Sequence, residues 1–164
     1  MYFYQNGRRK EPPSDPEKAF GAALRTAENI LAYADNSEKM LRRKLAERKY
    51  TPQIIDRVID RLIDSGLLDE RRFAENTARS LALGRLYGWS RIRARLLEKG
   101  YENAVVSSLA ANGIDGVDFD ANCLALFERL GGERSRENYM KMRRHGFSYE
   151  NIRYAFDAFA NTES

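Results

Sequence analysis

The positions of the prolines constrain this 164-residue chain more than any other feature. All four lie before residue 53, at positions 12, 13, 16 and 52, so no proline interrupts a helix in the rest of the chain. Apolar residues recur at helical spacing, as in Ile55, Ile59 and Leu62, and no segment sustains the two-residue alternation of a strand. The sequence therefore predicts an all-α protein.

Capping residues and glycines divide the chain into nine predicted helices. Asp15 and Thr51 each precede a proline at the first helical position, which is a specific signal for a helix start. Further candidate N-caps are Ser37, Asp69, Ser90, Ser135 and Ser148. Glycines 66, 84, 100, 113, 131, 132 and 146 stand where the helices are expected to stop. The predicted helices lie near residues 17–35, 37–49, 52–65, 70–83, 89–99, 102–112, 119–130, 136–145 and 149–160.

Three blocks of the chain align on the aromatic residues Tyr50, Tyr101 and Phe147. Each aromatic follows a predicted helix end and has apolar residues five positions before and five positions after it. We therefore predict a flexible arm and three tandem three-helix repeats, at residues 1–14, 15–66, 67–114 and 115–164. Because one such unit buries little core alone, the repeats are expected to stack into an elongated, curved array.

The basic residues are distributed unevenly along a chain whose net charge is only +4. Segments 37–50, 85–99 and 129–144 each carry an excess of four basic over acidic residues. Basic side chains also recur six and two positions before the aligned aromatics, as pairs at i and i+4 on the second helix of each block. These pairs are Lys44 and Arg48, Arg95 and Lys99, and Lys141 and His145.

Like charges at this spacing destabilise an isolated helix by a few tenths of a kcal/mol, so their repetition favours an anionic partner surface. An ordinary solvated helix face remains the alternative interpretation. The candidate partner-binding residues are Arg43, Lys44, Arg48, Arg72, Arg91, Arg93, Arg95, Lys99, Lys141 and Arg144.

The sequence offers little material for catalysis. Its one cysteine, Cys123, cannot form an internal disulfide, and Cys123 and the one histidine, His145, cannot by themselves form a structural zinc site. We find no phosphate-binding loop, no nucleophile paired with a base, no signal peptide and no apolar run of membrane-spanning length. We expect a cytoplasmic, monomeric protein without catalytic residues, cofactor or metal, and without a membrane partner.

Two segments resemble the RecX family of regulatory proteins. They are 66–74 (GLLDERRFA), which links the first and second repeats, and 87–100 (YGWSRIRARLLEKG) in the second repeat. The resemblance covers residues 20–160 and implies an all-helical protein of three tandem repeats. It also implies that the protein binds the RecA filament on single-stranded DNA and inhibits its extension, recombinase activity and co-protease activity. Such a regulator would act in DNA repair and control of the SOS response.

Direct DNA binding is the alternative function. Basic second helices and a pI near 9.2 permit contacts to phosphates. The third helix of each block is apolar rather than rich in the Arg, Asn and Gln that read base edges, so sequence-specific recognition is not expected. Weak, salt-sensitive DNA binding remains open.

The repeat arrangement predicts a helical and elongated particle in solution. Far-UV circular dichroism should show predominantly helix, and small-angle scattering should give a radius of gyration above the value of about 15 Å for a compact chain of this length. A radius at the compact value, or substantial sheet, would contradict the stacked-repeat architecture.

Overall fold

The computed structural model describes residues 11–162, and these residues form nine α-helices and no strand. The helices are α1 (Pro16–Tyr33), α2 (Glu38–Ala46), α3 (Pro52–Asp64), α4 (Glu70–Arg85), α5 (Trp89–Glu98), α6 (Asn103–Asn112), α7 (Phe119–Arg129), α8 (Arg136–Arg144) and α9 (Tyr149–Thr162). The all-α prediction is confirmed. The largest boundary difference is in α2, which was expected to reach residue 49 and ends at Ala46.

Most of the predicted N-caps are confirmed. The Asp15 carboxylate accepts a hydrogen bond from Lys18 N at 2.8 Å, and Thr51 Oγ1 accepts one from Ile54 N at 3.4 Å. Ser37, Ser135 and Ser148 cap α2, α8 and α9 in the same way. Each of these side chains satisfies an amide of the first turn that has no partner within its own helix.

Two helix-end predictions are wrong. Ser90 is not an N-cap, because α5 begins one residue earlier, at Trp89, and Ser90 Oγ donates instead to Gly146 O at 3.1 Å. Gly84 does not end α4, which continues to Arg85 and is followed by Leu86 with a φ of 50°.

The three aligned aromatics end their helices through one shared backbone geometry. Each aromatic N–H donates to the carbonyl five residues earlier: Tyr50 to Leu45 at 3.4 Å, Tyr101 to Leu96 at 3.2 Å, and Phe147 to Met142 at 3.3 Å. The residues just before them, Lys49, Gly100 and Gly146, have φ values of 65°, 86° and 97°. This is the Schellman arrangement, in which a left-handed residue closes the helix end.

The described residues divide into two compact units, and the division falls between Glu70 and Arg71 in the sequence. In the first unit, α1, α2 and α3 each contact the other two. The buried face of α1 consists of Ala19, Ala23 and Ala27, and such small side chains let α1 lie close to α3. The side chain of Glu70 accepts a hydrogen bond from Glu38 N at 2.7 Å, which satisfies the first amide of α2.

In the second unit, α7, α8 and α9 contact one another around Phe127, and α5 contacts α6. The Phe127 ring lies 4.8 Å from the Phe156 ring and 5.2 Å from the Phe159 ring, between centroids. Met142, Phe147 and Ile152 complete this core with less than 2% of their surface exposed.

The repeat boundaries at 15–66, 67–114 and 115–164 stay predictions, and so does the flexible arm. Residues 1–10 of the predicted arm lie outside the described residues. Residues 11–14 lie next to the first repeat, where Glu11 pairs with Lys49 at 2.8 Å and Pro12 and Pro13 line a cavity beside Tyr50.

The N-terminal end of α5 packs directly against the turn that follows α8. Gly88 N donates to His145 O at 2.8 Å, and Ser90 N donates to Gly146 O at 3.2 Å. A Cβ at Gly88 would collide with the backbone of Gly146 and Phe147. Only glycine at position 88 allows this close approach.

Gly88→Ala is therefore expected to lower the free energy of unfolding by about 1–3 kcal/mol, the usual cost of overpacking. The φ of Gly88 is −78°, which alanine adopts freely, so the loss would be steric. Gly84→Ala is the control, because apart from the adjoining backbone of α4 no described atom lies within 4 Å of its added Cβ. We expect it to be neutral or to stabilise α4 by up to about 1 kcal/mol. Equal urea midpoints for the two variants would contradict this account.

Candidate functional site

The predicted basic residues fall into two groups, one in each unit. Arg43, Lys44 and Arg48 belong to the first unit, on α2 and just after it. The second unit holds Arg72, Arg91, Arg93, Arg95, Lys99, Lys141 and Arg144. Lys44, Arg48, Arg91 and Lys141 are half-buried, and the other six side chains are exposed.

In the first unit, Lys44 and Arg48 line a groove of about 470 Å³ between the end of α1 and the end of α2. Its wall also includes Tyr33, which is 93% exposed, and Glu47. We call this feature the α1–α2 groove. It brings Arg48 and an exposed tyrosine ring to one surface, and both residue types are enriched at protein interfaces.

Both basic residues of the groove are also bonded within the fold. Lys44 Nζ donates to Asn36 Oδ1 at 2.6 Å, and Asn36 is only 8% exposed. Arg48 Nη1 donates to Lys44 O at 2.7 Å, at the C-terminal end of α2. Lys44 therefore anchors the connection between α1 and α2, a role that is independent of any partner.

In the second unit, the structure brings together Arg91 and Arg144, which are 53 residues apart in sequence. Arg91 Nη1 donates to Arg144 O at 3.0 Å, and the Arg91 guanidinium lies 4.2 Å above the ring centre of Tyr87. The ring of His145 meets Tyr87 edge-on at 5.7 Å, and its Nδ1 lies 3.3 Å from Leu86 O. We call Tyr87, Arg91, Arg144 and His145 the α5–α8 junction.

Arg95 lies one helical turn beyond Arg91 and pairs with Glu98 at 2.8 Å. The Glu98 carboxylate, with a smaller contribution from Tyr87, raises the pKa of the Arg95 guanidinium. Lys141 pairs with Glu137 at 2.6 Å and lowers the pKa of that carboxyl. Because exposed ion pairs are weak and screened by salt, Arg95 and Lys141 stay available to an anionic partner.

The remaining predicted residues do not join either cluster. Arg93 Nη2 lies 3.3 Å from Asn103 Oδ1, on the side of α5 that faces α6. Arg43 pairs with Glu47 at 3.5 Å, and the Arg72 guanidinium lies 5.3 Å from the ring centre of Phe73. Lys99 is the C-cap residue of α5.

Sequence reasoning missed two aromatic members of these clusters, Tyr33 and Tyr87. Tyr33 had a usable signal, because Asn29 and Thr26 lie one and two turns before it on the same helical face. A tyrosine on a polar face is not needed for the core. Tyr87 carried no such signal, since its contact with Arg91 depends on how the chain enters α5.

The structure adds little that suggests catalysis. Within residues 11–162, no group of three His, Cys, Asp or Glu side chains lies close enough to hold a metal ion. Burial raises the pKa of the Cys123 thiol to about 12, which keeps it protonated and unreactive near neutral pH. In the same range, every helix is too short or too polar to cross a membrane.

Comparison with known proteins finds relatives that cover nearly the whole of this helical chain. It is 31% identical over 158 residues to the regulatory protein RecX of Xanthomonas axonopodis pv. citri, with 92% of this chain and 91% of the relative covered. The chain belongs to the RecX family. A sequence model of the RecX first three-helix domain matches residues 23–62. The predicted resemblance is thus confirmed.

Other RecX proteins agree with this assignment. The regulatory protein RecX of Chlorobium phaeobacteroides is 28% identical over 151 residues, covering 88% of this chain and 95% of the relative. The crystal structure of RecX from Lactobacillus salivarius superposes with a TM-score of 0.71 at 21% identity, over 86% of this chain and 96% of that one. A second RecX crystal structure superposes with a TM-score of 0.63 at 20% identity, covering 90% and 80% of the two chains. At these identities, the structural matches support the helical RecX fold.

Because Lys44 bonds Asn36, replacing Lys44 should lower the free energy of unfolding, whereas replacing a fully solvated lysine should not. Lys44→Met keeps the aliphatic stem but removes the donor to Asn36 Oδ1, so we expect a loss of about 1–2 kcal/mol in the free energy of unfolding. Lys39→Met, at an exposed position on the same helix, should change it by no more than about 0.5 kcal/mol. If urea unfolding gives both variants the same midpoint, Lys44 has no anchoring role.

Proposed function

We propose that this RecX-family protein binds the RecA filament on single-stranded DNA and inhibits its extension, recombinase activity and co-protease activity. It acts as a cytoplasmic monomer and performs no catalysis. The proposal is supported by family membership, since the relatives are named regulatory proteins. It is also consistent with basic surfaces in a chain whose described residues hold no metal cluster.

The observation that carries the proposal is the convergence of basic residues at the α5–α8 junction. Arg91 Nη1 bonds the backbone carbonyl of Arg144, 53 residues away in sequence, so the exposed Arg144 lies beside α5. Arg95 lies one turn further along α5. Tyr87 lies beneath Arg91 and holds its guanidinium over the ring. A basic surface of this kind steers an anionic partner and fixes its orientation.

Direct action on DNA is the second candidate, favoured by the exposed arginines and the net charge of +4. A base-reading helix would need long polar side chains along one face. The third helix of the second repeat, α6 (NAVVSSLAAN), carries no lysine or arginine. This candidate is therefore limited to phosphate contacts, whose affinity would fall steeply with salt.

The paired variant Arg95→Glu, Arg144→Glu tests the first candidate. We expect the concentration that half-inhibits RecA-driven strand exchange to rise at least about tenfold, because two like charges would then face an anionic partner. The control is Arg129→Glu, Arg136→Glu, which makes the same charge change at two exposed arginines of α7 and α8 that are not among the candidate residues. If the Arg95→Glu, Arg144→Glu variant still inhibits fully and keeps its melting temperature, the α5–α8 junction is not part of the binding surface.

Co-sedimentation separates the two candidate functions. The wild-type protein should pellet with RecA filaments on single-stranded DNA and not with the same DNA alone at physiological salt. Equal pelleting in both reactions, lost as salt rises, would favour direct DNA binding. No pelleting and no inhibition at stoichiometric excess would reject the RecA proposal.

A further inference from the structure

The α1–α2 groove contains a side chain that contributes little to its own fold. Tyr33 is the last residue of α1 and is 93% exposed, so its ring lies almost entirely in solvent. Tyrosine and arginine are the residue types that most often dominate binding energy when a partner covers them. In this groove Tyr33 stands with Arg48 and Lys44 around about 470 Å³ of space that is open to solvent.

The charges of the groove suit a single anionic group rather than a row of them. Arg48 and Lys44 are its basic residues, and Glu47 lies on the same wall. The groove also lies where α1 and α2 end, and helix C-termini carry partial negative charge. A nucleic-acid strand would bring successive phosphates against Glu47 and these helix ends, whereas one carboxylate can be directed to Arg48.

The last carbonyls of α2 already have partners within the fold. Leu45 O accepts from Arg48 N and Tyr50 N, and Lys44 O accepts from Arg48 Nη1. What points to a polypeptide is the exposed ring of Tyr33 beside Arg48, since tyrosine and arginine are enriched where proteins meet. The groove therefore matches a polypeptide better than a nucleic acid.

We propose that the α1–α2 groove binds an extended segment of a partner protein, in which one Asp or Glu carboxylate contacts Arg48. Lys44, although bonded to Asn36, adds positive charge beside that carboxylate. A neighbouring apolar or aromatic side chain of the segment packs on the Tyr33 ring. This inference rests on the proposed function, in which the partner is the RecA filament, and it assigns to the first unit a contact separate from the α5–α8 junction.

Tyr33→Ser and Arg48→Gln test the groove in the full-length protein. Each should weaken binding to RecA filaments on single-stranded DNA at least about tenfold, measured as a dissociation constant. Tyr33→Ser should leave the melting temperature unchanged. Arg48→Gln also loses the bond from Arg48 Nη1 to Lys44 O, so its binding is measured at a temperature where its circular dichroism matches that of the wild type. The matched controls are Tyr149→Ser, at a tyrosine 58% exposed on α9, and Lys39→Gln, at an exposed lysine in the first turn of α2. Both controls should bind as the wild type does.

A photo-reactive benzoylphenylalanine placed at position 33 identifies what covers the groove. Irradiation in the presence of RecA filaments should crosslink it to a RecA peptide that carries an acidic residue close to the attachment point. Crosslinking to the DNA instead, or efficient filament binding with no crosslink, would overturn the inference.

The failure of this inference can be told from failure of the proposed function. If the wild-type protein binds filaments and Tyr33→Ser and Arg48→Gln bind equally well, the groove is not a binding site and the proposed function stands. If the wild-type protein does not bind filaments, the proposed function fails and the inference fails with it.

Discussion

One backbone hydrogen bond organises each three-helix repeat. In this bond the N–H of the aligned aromatic residue donates to the carbonyl five residues earlier and so ends the second helix. At Phe147 this bond forms only because Gly146 adopts a left-handed conformation, which reverses the chain direction. The reversal carries the aromatic ring into the core, where Phe147 is 1% exposed, and starts the third helix two residues later. The placement of the basic second helix relative to the core depends on the same turn.

The same turn also joins helices that are distant in sequence. The carbonyls of His145 and Gly146 accept from Gly88 N, just before α5, and from Ser90 N, in its first turn. The turn after α8 therefore replaces the side-chain cap that α5 lacks. This is possible because Gly88 and Gly146 have no side chains to keep the two backbones apart. The α5–α8 junction, and with it the convergence of Arg91 and Arg144, follows from that approach.

Some basic residues of this protein stabilise the fold and also belong to the recurring basic pairs. Lys44 stabilises the connection between α1 and α2 while it lines the groove, and His145 contacts Leu86 O while it stands in the third basic pair. A recurring basic column therefore has two physical causes, and only substitutions at positions such as Arg95, whose partner is an exposed glutamate, report mainly on binding.

Much of the fold followed from local sequence, because helix caps act over three or four residues. Asp15 and Thr51 were predicted correctly since each bonds an amide in its own first turn. Ser90 was predicted wrongly because its hydroxyl bonds Gly146, 56 residues away. By itself the sequence determined the helices, the aromatic turns and the basic columns. Only the tertiary structure decided that Arg91 meets Arg144 and that Tyr33 and Lys44 line one groove. These arrangements depend on how separate helices pack, which no local pattern encodes.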